Sequence, residues 1–389
     1  MNRIGVVAVA AAAAALVWGT ATAAATADRG GSACATALAA CLEDLPSGGT
    51  CSPALPVPIR ELPQPLRESG YNLTLLRPGV FAYLDGAYTS LLLWEPKRRK
   101  LVVIDAPDSA ASNIDGGAGT RLTAAVDEVL DGASPRGVHI LYSHAHLDHI
   151  GATRRVVDHL RTAHPAMRVA IWGTDEADEV VRRSTTRRAL RVTRRVPKSG
   201  ATLRLTRELR VDLHVVGGHT ATDLAIHIPP SSDRGGKPGV VHHVDVVFPG
   251  WSPPFTLAIT EDVARFRDVH QALLKLDWQV FSGGHLGRLG TRDDVAAGGR
   301  YAKDLLDAAA AATAAVDNQA IAEAGGGAVA DPKSPLFGNT WAQFNLLRQL
   351  QGDSCARIML AKWGCVLAGV DVMIRPNCFS AITYLLVEG

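Results

Sequence analysis

Four side chains that can bind metal ions stand within six consecutive positions of the chain. They are His144, His146, Asp148 and His149, in the stretch Ser-His-Ala-His-Leu-Asp-His. Imidazole and carboxylate groups are typical ligands of catalytic zinc centres, which keep one coordination position open for water. One loop with this spacing can serve two adjacent metal sites, the first two histidines binding one ion and Asp148 with His149 the other.

Three residues further along the chain can complete these sites. His219 stands in Gly-Gly-His-Thr, Asp245 in an apolar stretch that ends at Phe248, and His285 in Gly-Gly-His. Each lies within, at the end of, or just after a predicted strand, so all three can approach the same rim of the fold. Without a bound ion, the convergence of so many unpaired titratable groups would be costly. The set therefore predicts a metal centre.

The elements that must position these residues alternate between strand and helix patterns. A β-branched and apolar strand at 138–142 leads into the histidine cluster, and a helix at 152–162 follows it. We predict further strands at 71–76, 90–94, 101–105, 168–172, 209–216, 223–228, 240–248 and 278–281, and further helices at 122–130, 174–183 and 261–276. Two clusters of strands fit two sheets covered by helices, an α/β fold.

The ordered set of motifs resembles the metallo-β-lactamase superfamily of hydrolases. The match runs from about residue 71 to residue 295 and includes the apolar strand that ends at Asp105. The resemblance implies an αβ/βα sandwich, in which two mixed sheets face each other with helices outside and the site lies along one edge. The superfamily usually has glycine before the bridging aspartate, where this chain has Val244.

The resemblance also implies roles for individual residues. Two Zn²⁺ ions would be bound, the first by His144, His146 and His219, the second by Asp148, His149 and His285, with Asp245 bridging them. Asp148 would in addition orient the attacking hydroxide, which makes it the predicted catalytic residue.

Two further residues are candidates for support of the ligands. Asp105 is predicted to be a buried carboxylate that orients the histidine loop. His243 lies on the predicted strand face of Asp245 and is either a supporting partner of the ligands or a polar residue of the sheet surface. The histidines predicted to be structural are His139, His159, His164, His214, His227 and His270.

The function that follows is a secreted hydrolase cleaving a small ester, lactone or amide-type substrate. The alternatives are a β-lactamase, an iron-dependent dioxygenase of a sulfur substrate on the same scaffold, and a binding protein with a vestigial site. The partner is expected to be a small molecule, with no nucleic acid and no stable membrane association, and the oligomeric state stays open. The basic run from Arg182 to Lys198 either attracts an anionic substrate or is a solvated surface.

The ends of the chain indicate its compartment and domain organisation. With 389 residues and 47% hydrophobic residues, the chain is not disordered throughout. We predict a signal peptide at 1–27, a Cys- and Pro-rich irregular segment at 28–70, the hydrolase-like domain at 71–295 and a helical extension at 296–389. Six cysteines, in the first and last of the three mature regions, predict disulfides that pin the terminal segments, in any of fifteen pairings, with buried free thiols as the alternative.

Overall fold

The computed structural model describes residues 30–43, 51, 54–108, 120–221, 223–231, 236–286, 288–323, 331–334 and 336–389. The predicted signal peptide, 1–27, lies outside the described residues. Within them, twelve strands form two sheets, and ten α-helices are present.

The first sheet has seven strands in chain order. These are β1 (Asn72–Arg77), β2 (Val80–Leu84), β3 (Thr89–Glu95), β4 (Lys100–Ile104), β5 (Gly137–Leu141), β6 (Arg168–Gly173) and β7 (Arg194–Arg195). The first four strands pair antiparallel, whereas β4 to β7 pair parallel. β3 is buried along its whole length, as expected for a strand covered on both faces.

The second sheet has five strands, in the order β12-β11-β10-β9-β8. Its strands are β8 (Ala201–Arg204), β9 (Arg210–Val215), β10 (Leu224–Ile228), β11 (Val240–His242) and β12 (Val280–Ser282). Only β11 and β12 pair parallel. The sheet is therefore mixed, as is the first.

Three hydrophobic clusters hold the fold together, one between the two sheets and two between the sheets and the helices. In chain order they are α1 (Gly30–Glu43), α2 (Thr120–Leu130), α3 (Leu147–Ile150), α4 (Thr153–Ala163), α5 (Asp175–Arg183), α6 (Val263–Leu274), α7 (Arg292–Ala315), α8 (Asn318–Glu323), α9 (Thr340–Trp363) and α10 (Val370–Val387). One cluster joins Val102 and Ile104 of the first sheet to Ile226 of the second, so the two sheets face each other.

The other two clusters cover the outer faces of the sheets. Val103 and Ile140 pack with α2 and α4 on the outside of the first sheet. Val241 and Phe281 pack with α6, α7, α9 and α10 on the outside of the second. The predicted fold class, two facing mixed sheets with helices outside and further helices at the C-terminus, is confirmed.

The prediction of a strand at 240–248 is wrong beyond its third residue. β11 ends at His242, and Asp245 has a φ of 62°, a left-handed backbone conformation that strands do not adopt. The apolar residues that follow, Val246 to Phe248, are buried in a loop rather than in the sheet. Burial in a strand and burial in a packed loop produce the same apolar pattern, so the sequence did not separate them.

The segment at 28–70, which was predicted to be irregular, contains a helix and packs against the core. α1 forms at its start, and Leu38 and Leu42 pack against the cluster that contains α9 and α10. Leu55 is buried in the same cluster, and its N–H donates to Asp371 Oδ2 at 2.7 Å. The strands β2, β7 and β8 were also missed, since no strand was predicted at their positions.

All six cysteines form disulfides, Cys34 with Cys365, Cys41 with Cys51, and Cys355 with Cys378. The first of these joins the N-terminal helix to the loop after α9, which agrees with the prediction that the terminal segments are pinned, here to each other. By length and composition, α10 is the one described helix that could cross a membrane, and buried core helices of soluble proteins share these properties. One face of α10 packs in the helical cluster through Ile374, Cys378 and Ile382.

Candidate metal centre

The histidine loop leaves β5 and is fastened by backbone hydrogen bonds on both sides. The Leu224 N–H donates to the Ser143 carbonyl at 2.8 Å, which ties the start of the loop to β10 of the facing sheet. The N–H groups of Ala106 and Asp108 donate to the carbonyls of His149 and Asp148, both at 2.8 Å. The loop is thus held between the ends of β4 and β10.

The first group of candidate ligands consists of His144, His146, His219 and Asp245, whose ligand atoms all lie within 4.8 Å of one another. His146 Nδ1 and His219 Nε2 are 3.0 Å apart, and Asp245 Oδ2 is 3.4 Å from His144 Nε2. All but His146 are buried.

The second group consists of Asp148, His149 and His285, and lies directly beside the first. His149 Nε2 and His285 Nε2 are 3.0 Å apart, and Asp148 Oδ2 is 3.4 Å from His149 Nε2. Asp245 reaches this group as well, since its Oδ1 is 2.9 Å from His285 Nε2 and its Oδ2 is 3.1 Å from His149 Nε2. Asp245 therefore stands between the two groups.

This donor set fits metal ions. Two pairs of imidazole nitrogens face each other at 3.0 Å, a spacing expected when both lone pairs point to one cation at about 2.0–2.2 Å. His144 Nε2 is fully buried and has no hydrogen-bond partner among the described residues. A buried nitrogen that is left unpaired is costly, and an ion in front of it would remove that cost.

Burial and neighbouring charges place His144, His219 and Asp245 in the protonation states that metal ligands require. Burial, together with the charge of His149, holds the pKa of His144 well below its usual value, and burial lowers the pKa of His219 to about 4. Burial alone would raise the pKa of Asp245, but His149 and His285 outweigh it and hold that pKa well below the ordinary range. Neutral imidazoles and an ionised carboxylate result.

His149 behaves differently from the other histidines of the centre. Burial acts to lower its pKa, but the carboxylates of Asp245 and Asp148 act in the opposite direction and raise it to about 10. A protonated His149 balances the charge of Asp245 in the absence of a cation, and a cation would take over that role.

Asp105 supports the loop as predicted, and its partner is a histidine that the sequence did not single out. The Ser143 N–H donates to Asp105 Oδ1 at 2.8 Å, while Asp105 Oδ2 is 3.2 Å from His242 Nε2. His242 in turn contacts Ser282 Oγ through Nδ1 at 2.8 Å. His243, the predicted supporting candidate, instead places Nδ1 3.3 Å from the Leu224 carbonyl.

Replacement of Asp105 by alanine is expected to lower the free energy of unfolding by about 1–3 kcal/mol for each buried polar group that loses its partner. Those groups are the Ser143 N–H and His242. Asp105 has a φ of 60°, which asparagine tolerates and alanine does not. Asp105→Asn keeps the acceptor for Ser143, so we expect a smaller loss in urea denaturation. Equal stability of both variants and the native chain would contradict this role.

Tyr88 belongs to the centre although no motif pointed to it. Its hydroxyl donates to Asp148 Oδ2 at 3.3 Å, and its ring centroid is 4.6 Å from that of His285. Asp85 Oδ1 accepts from the Tyr88 N–H at 2.8 Å and so fixes the turn that carries the ring. Burial, with the charges of Asp148 and Asp245, raises the pKa of Tyr88, so the hydroxyl keeps its proton and remains a donor.

The C-terminal extension contacts the centre indirectly, through a strained loop. Leu257, Ala258 and Ile259 all have positive φ, and the carbonyl of Gly218 accepts from Thr260 Oγ1 at 2.9 Å at the end of this turn. Asn377 of α10 holds the turn, since its Oδ1 accepts from the Leu257 N–H at 2.8 Å and its Nδ2 donates to the Pro253 carbonyl at 2.8 Å. α10 therefore supports the segment next to His219.

The basic run that the sequence singled out is largely neutralised by ion pairs. Arg182 and Arg183 pair with Glu179, Arg188 with Asp108, Arg191 with Asp178, and Arg195 with Asp175. The six histidines predicted to be structural, His139, His159, His164, His214, His227 and His270, belong to neither ligand group.

Comparison with known proteins finds similarity to solved structures but not to family models or curated proteins. No family model matches the chain, and no curated protein matches it. Among solved structures, a metallo-β-lactamase from Erythrobacter litoralis is similar, with 16% identity over 61% of this chain and 99% of that one and a TM-score of 0.45. A Cronobacter sakazakii metallo-β-lactamase has 17% identity over 55% and 77% of the two chains, with a TM-score of 0.39. The subclass B3 metallo-β-lactamase of Bradyrhizobium japonicum has 14% identity over 58% and 79%, with a TM-score of 0.39.

These likenesses are distant, and the class of the protein rests on its own geometry. The chain forms an αβ/βα sandwich whose two sheets bring seven histidine and aspartate side chains together in two adjoining groups that could hold metal ions. The proteins similar in structure are metallo-β-lactamases, the family that the sequence resembles.

Proposed function

We propose that the chain is a metal-dependent hydrolase of the metallo-β-lactamase type, with two Zn²⁺ ions per molecule. The observation that carries the proposal is the convergence of His144, His146 and His219 with Asp148, His149 and His285 around one shared carboxylate, Asp245. His144, His146 and His219 would hold one ion, and Asp148, His149 and His285 the other, with Asp245 between them. When bound, the ions would supply Lewis acidity and ionise a water molecule at neutral pH.

The residues on the open side of the centre handle the substrate. The side chain of Asp148 is 41% exposed and that of His285 is 23% exposed, whereas His144, His149 and Asp245 are buried. Substrate therefore approaches over Asp148. This carboxylate is in position to orient the attacking oxygen and accept its proton, while the Tyr88 hydroxyl, 3.3 Å away, fixes the orientation of the carboxylate.

The substrate that we propose is a small ester, lactone or amide-type molecule. Phe255 and Ile259 are each 63% exposed on the strained loop that adjoins His219. They favour a substrate with an apolar group rather than a small charged one. A β-lactam is an amide-type substrate and stays the leading alternative.

The six disulfide-bonded cysteines support secretion, because disulfides form and persist in oxidising compartments. A mononuclear iron dioxygenase is disfavoured by the second group of ligands, since a single ion leaves Asp148, His149 and His285 without a function. Binding without catalysis is disfavoured because all the candidate ligands are present.

Metal analysis tests the proposal directly. Inductively coupled plasma mass spectrometry of the purified protein is expected to give close to two zinc ions per chain, and activity is expected on panels of lactones, aryl esters and β-lactams. Removal of the ions with a chelator should abolish this activity, and zinc should restore it. One iron per chain would favour the dioxygenase, and protein that binds no metal would refute the proposal.

A further inference from the structure

A second site lies away from the metal centre, in a cavity of about 1300 Å³ along the first sheet. None of the seven candidate metal ligands lines it. Its walls come from the segments that precede β4, β5 and β6 and from the inner face of β5 and β6, where His139 and Trp172 lie. The metal centre, in contrast, follows the carboxyl end of β5.

The cavity is lined by cations and by no acidic residue. The six basic residues are Arg98, Arg99, Lys100, Arg136, Arg168 and Arg194. Within the described part of the chain, their guanidinium and ammonium groups make no ion pair, and Arg99 alone donates a side-chain hydrogen bond, from Nε to the Ser134 carbonyl at 2.6 Å. This distinguishes the cavity from the neighbouring basic run, whose arginines are mostly paired with carboxylates.

Strand register explains why these cations are close together. Lys100 pairs with Gly137, and Gly137 with Arg168, so the three strand starts lie in one row, with Arg136 beside it. Neighbouring strands are about 4.8 Å apart, and like charges across them repel. The Arg136 N–H donates to the Arg99 carbonyl at 2.8 Å, and the Arg168 N–H to the Arg136 carbonyl at 3.0 Å, which fixes the row.

The polar groups at the floor of the cavity show the effect of this positive field. The Trp172 indole N–H faces His139 Nδ1 at 3.1 Å, an arrangement in which that nitrogen accepts. Burial, together with the charges of Lys100 and Arg194, lowers the pKa of His139 to about 4. His139 is therefore neutral at physiological pH and adds no positive charge of its own.

We propose that this cavity binds a multivalent phosphate-type anion. Arginine presents donors in a fork that matches phosphate oxygens, and several arginines around one anion would remove the repulsion between them. The phosphate groups can belong to a free polyphosphorylated molecule or to the headgroup of an anionic lipid, because both present the same oxygens. The inference does not depend on hydrolysis at the metal centre.

Isothermal titration calorimetry of the full chain with inorganic tripolyphosphate tests the inference. The informative variant is Arg136→Ser with Arg168→Ser, two exposed residues of the cavity. The matched control is Arg155→Ser with Arg207→Ser, two exposed arginines outside it that lose the same charge. Any binding of tripolyphosphate at the metal centre is equal in both variants and cancels in the comparison.

We expect the cavity variant to bind at least about tenfold more weakly than the native protein, and the control to bind as the native protein does. Sedimentation with phosphatidylglycerol vesicles, against phosphatidylcholine vesicles, forms the second arm. A cavity-dependent interaction with the phosphatidylglycerol vesicles alone would support the site and identify its anion as a lipid headgroup. Absence of saturable binding in both arms, or an equal loss in both variants, would overturn the inference.

Discussion

Asp148→Asn is expected to lower kcat/KM by about 10²–10⁴-fold, the contribution of a positioned acid or base. The amide has the size of the carboxylate but lacks its charge, so it can neither take up a proton from the attacking oxygen nor balance a cation. Asp148 Oδ2 lies 3.4 Å from His149 Nε2 and 3.7 Å from His285 Nε2, so the loss of the negative charge acts on the second ligand group. The measurement is steady-state kinetics with the best substrate of the panel.

Asp158→Asn is the matched control for that variant. Asp158 is an exposed residue of α4 that belongs to neither ligand group, so its replacement removes the same charge from the surface without changing a ligand. Native kinetics are expected for Asp158→Asn. If Asp148→Asn turned over substrate at the native rate, the assignment of Asp148 as the catalytic residue would fail.

The largest effect is expected for Asp245→Asn, because this carboxylate contacts both ligand groups. Its Oδ1 lies 2.9 Å from His285 Nε2, and its Oδ2 lies 3.1, 3.4 and 3.6 Å from His149, His144 and His219 Nε2. Removal of one negative charge among four imidazoles weakens the binding of two cations at once. We expect fewer than one zinc ion per chain, and a loss of activity beyond the about 10⁴-fold upper limit for Asp148→Asn.

Asparagine is the informative replacement because Asp245 has a φ of 62°. Asparagine adopts left-handed conformations readily, so the backbone stays in place and only the charge changes. Asp245→Ala adds backbone strain and is expected to be less stable as well. Circular dichroism checks the fold, and metal analysis the ions. Retention of two zinc ions by Asp245→Asn would show that Asp245 does not bridge them.

The C-terminal helices support the structure around the candidate metal centre. Asn377 of α10 holds the left-handed turn at 257–259, and that turn contacts the loop before His219. The sequence predicted this region as an appended extension and indicated no contact with the centre. A contact between residues more than one hundred positions apart leaves no local pattern, so only the folded chain reveals it.

The contacts of His242 and His243 likewise became clear only in the folded chain. The strand pattern placed His243 on the side of Asp245, whereas the structure gives the contact with Asp105 to His242. The chain leaves the sheet after His242 and turns through the left-handed Asp245, so alternation could not be extended to the aspartate. Tyr88 was missed for a similar reason. The turn at Asp85 brings it next to His285, which lies 197 positions away in the sequence.

By itself, the sequence determined the chemistry of the ligands, the strand before the loop and the two-sheet fold. These features are encoded locally, because four ligands share one short loop and apolar alternation reports which strands have buried faces. Tertiary structure decided which histidine reaches Asp105, which cysteines pair, and where the six basic residues of the cavity meet. Those outcomes depend on the register between distant strands and on the packing of the terminal helices. No short stretch of sequence encodes either of these.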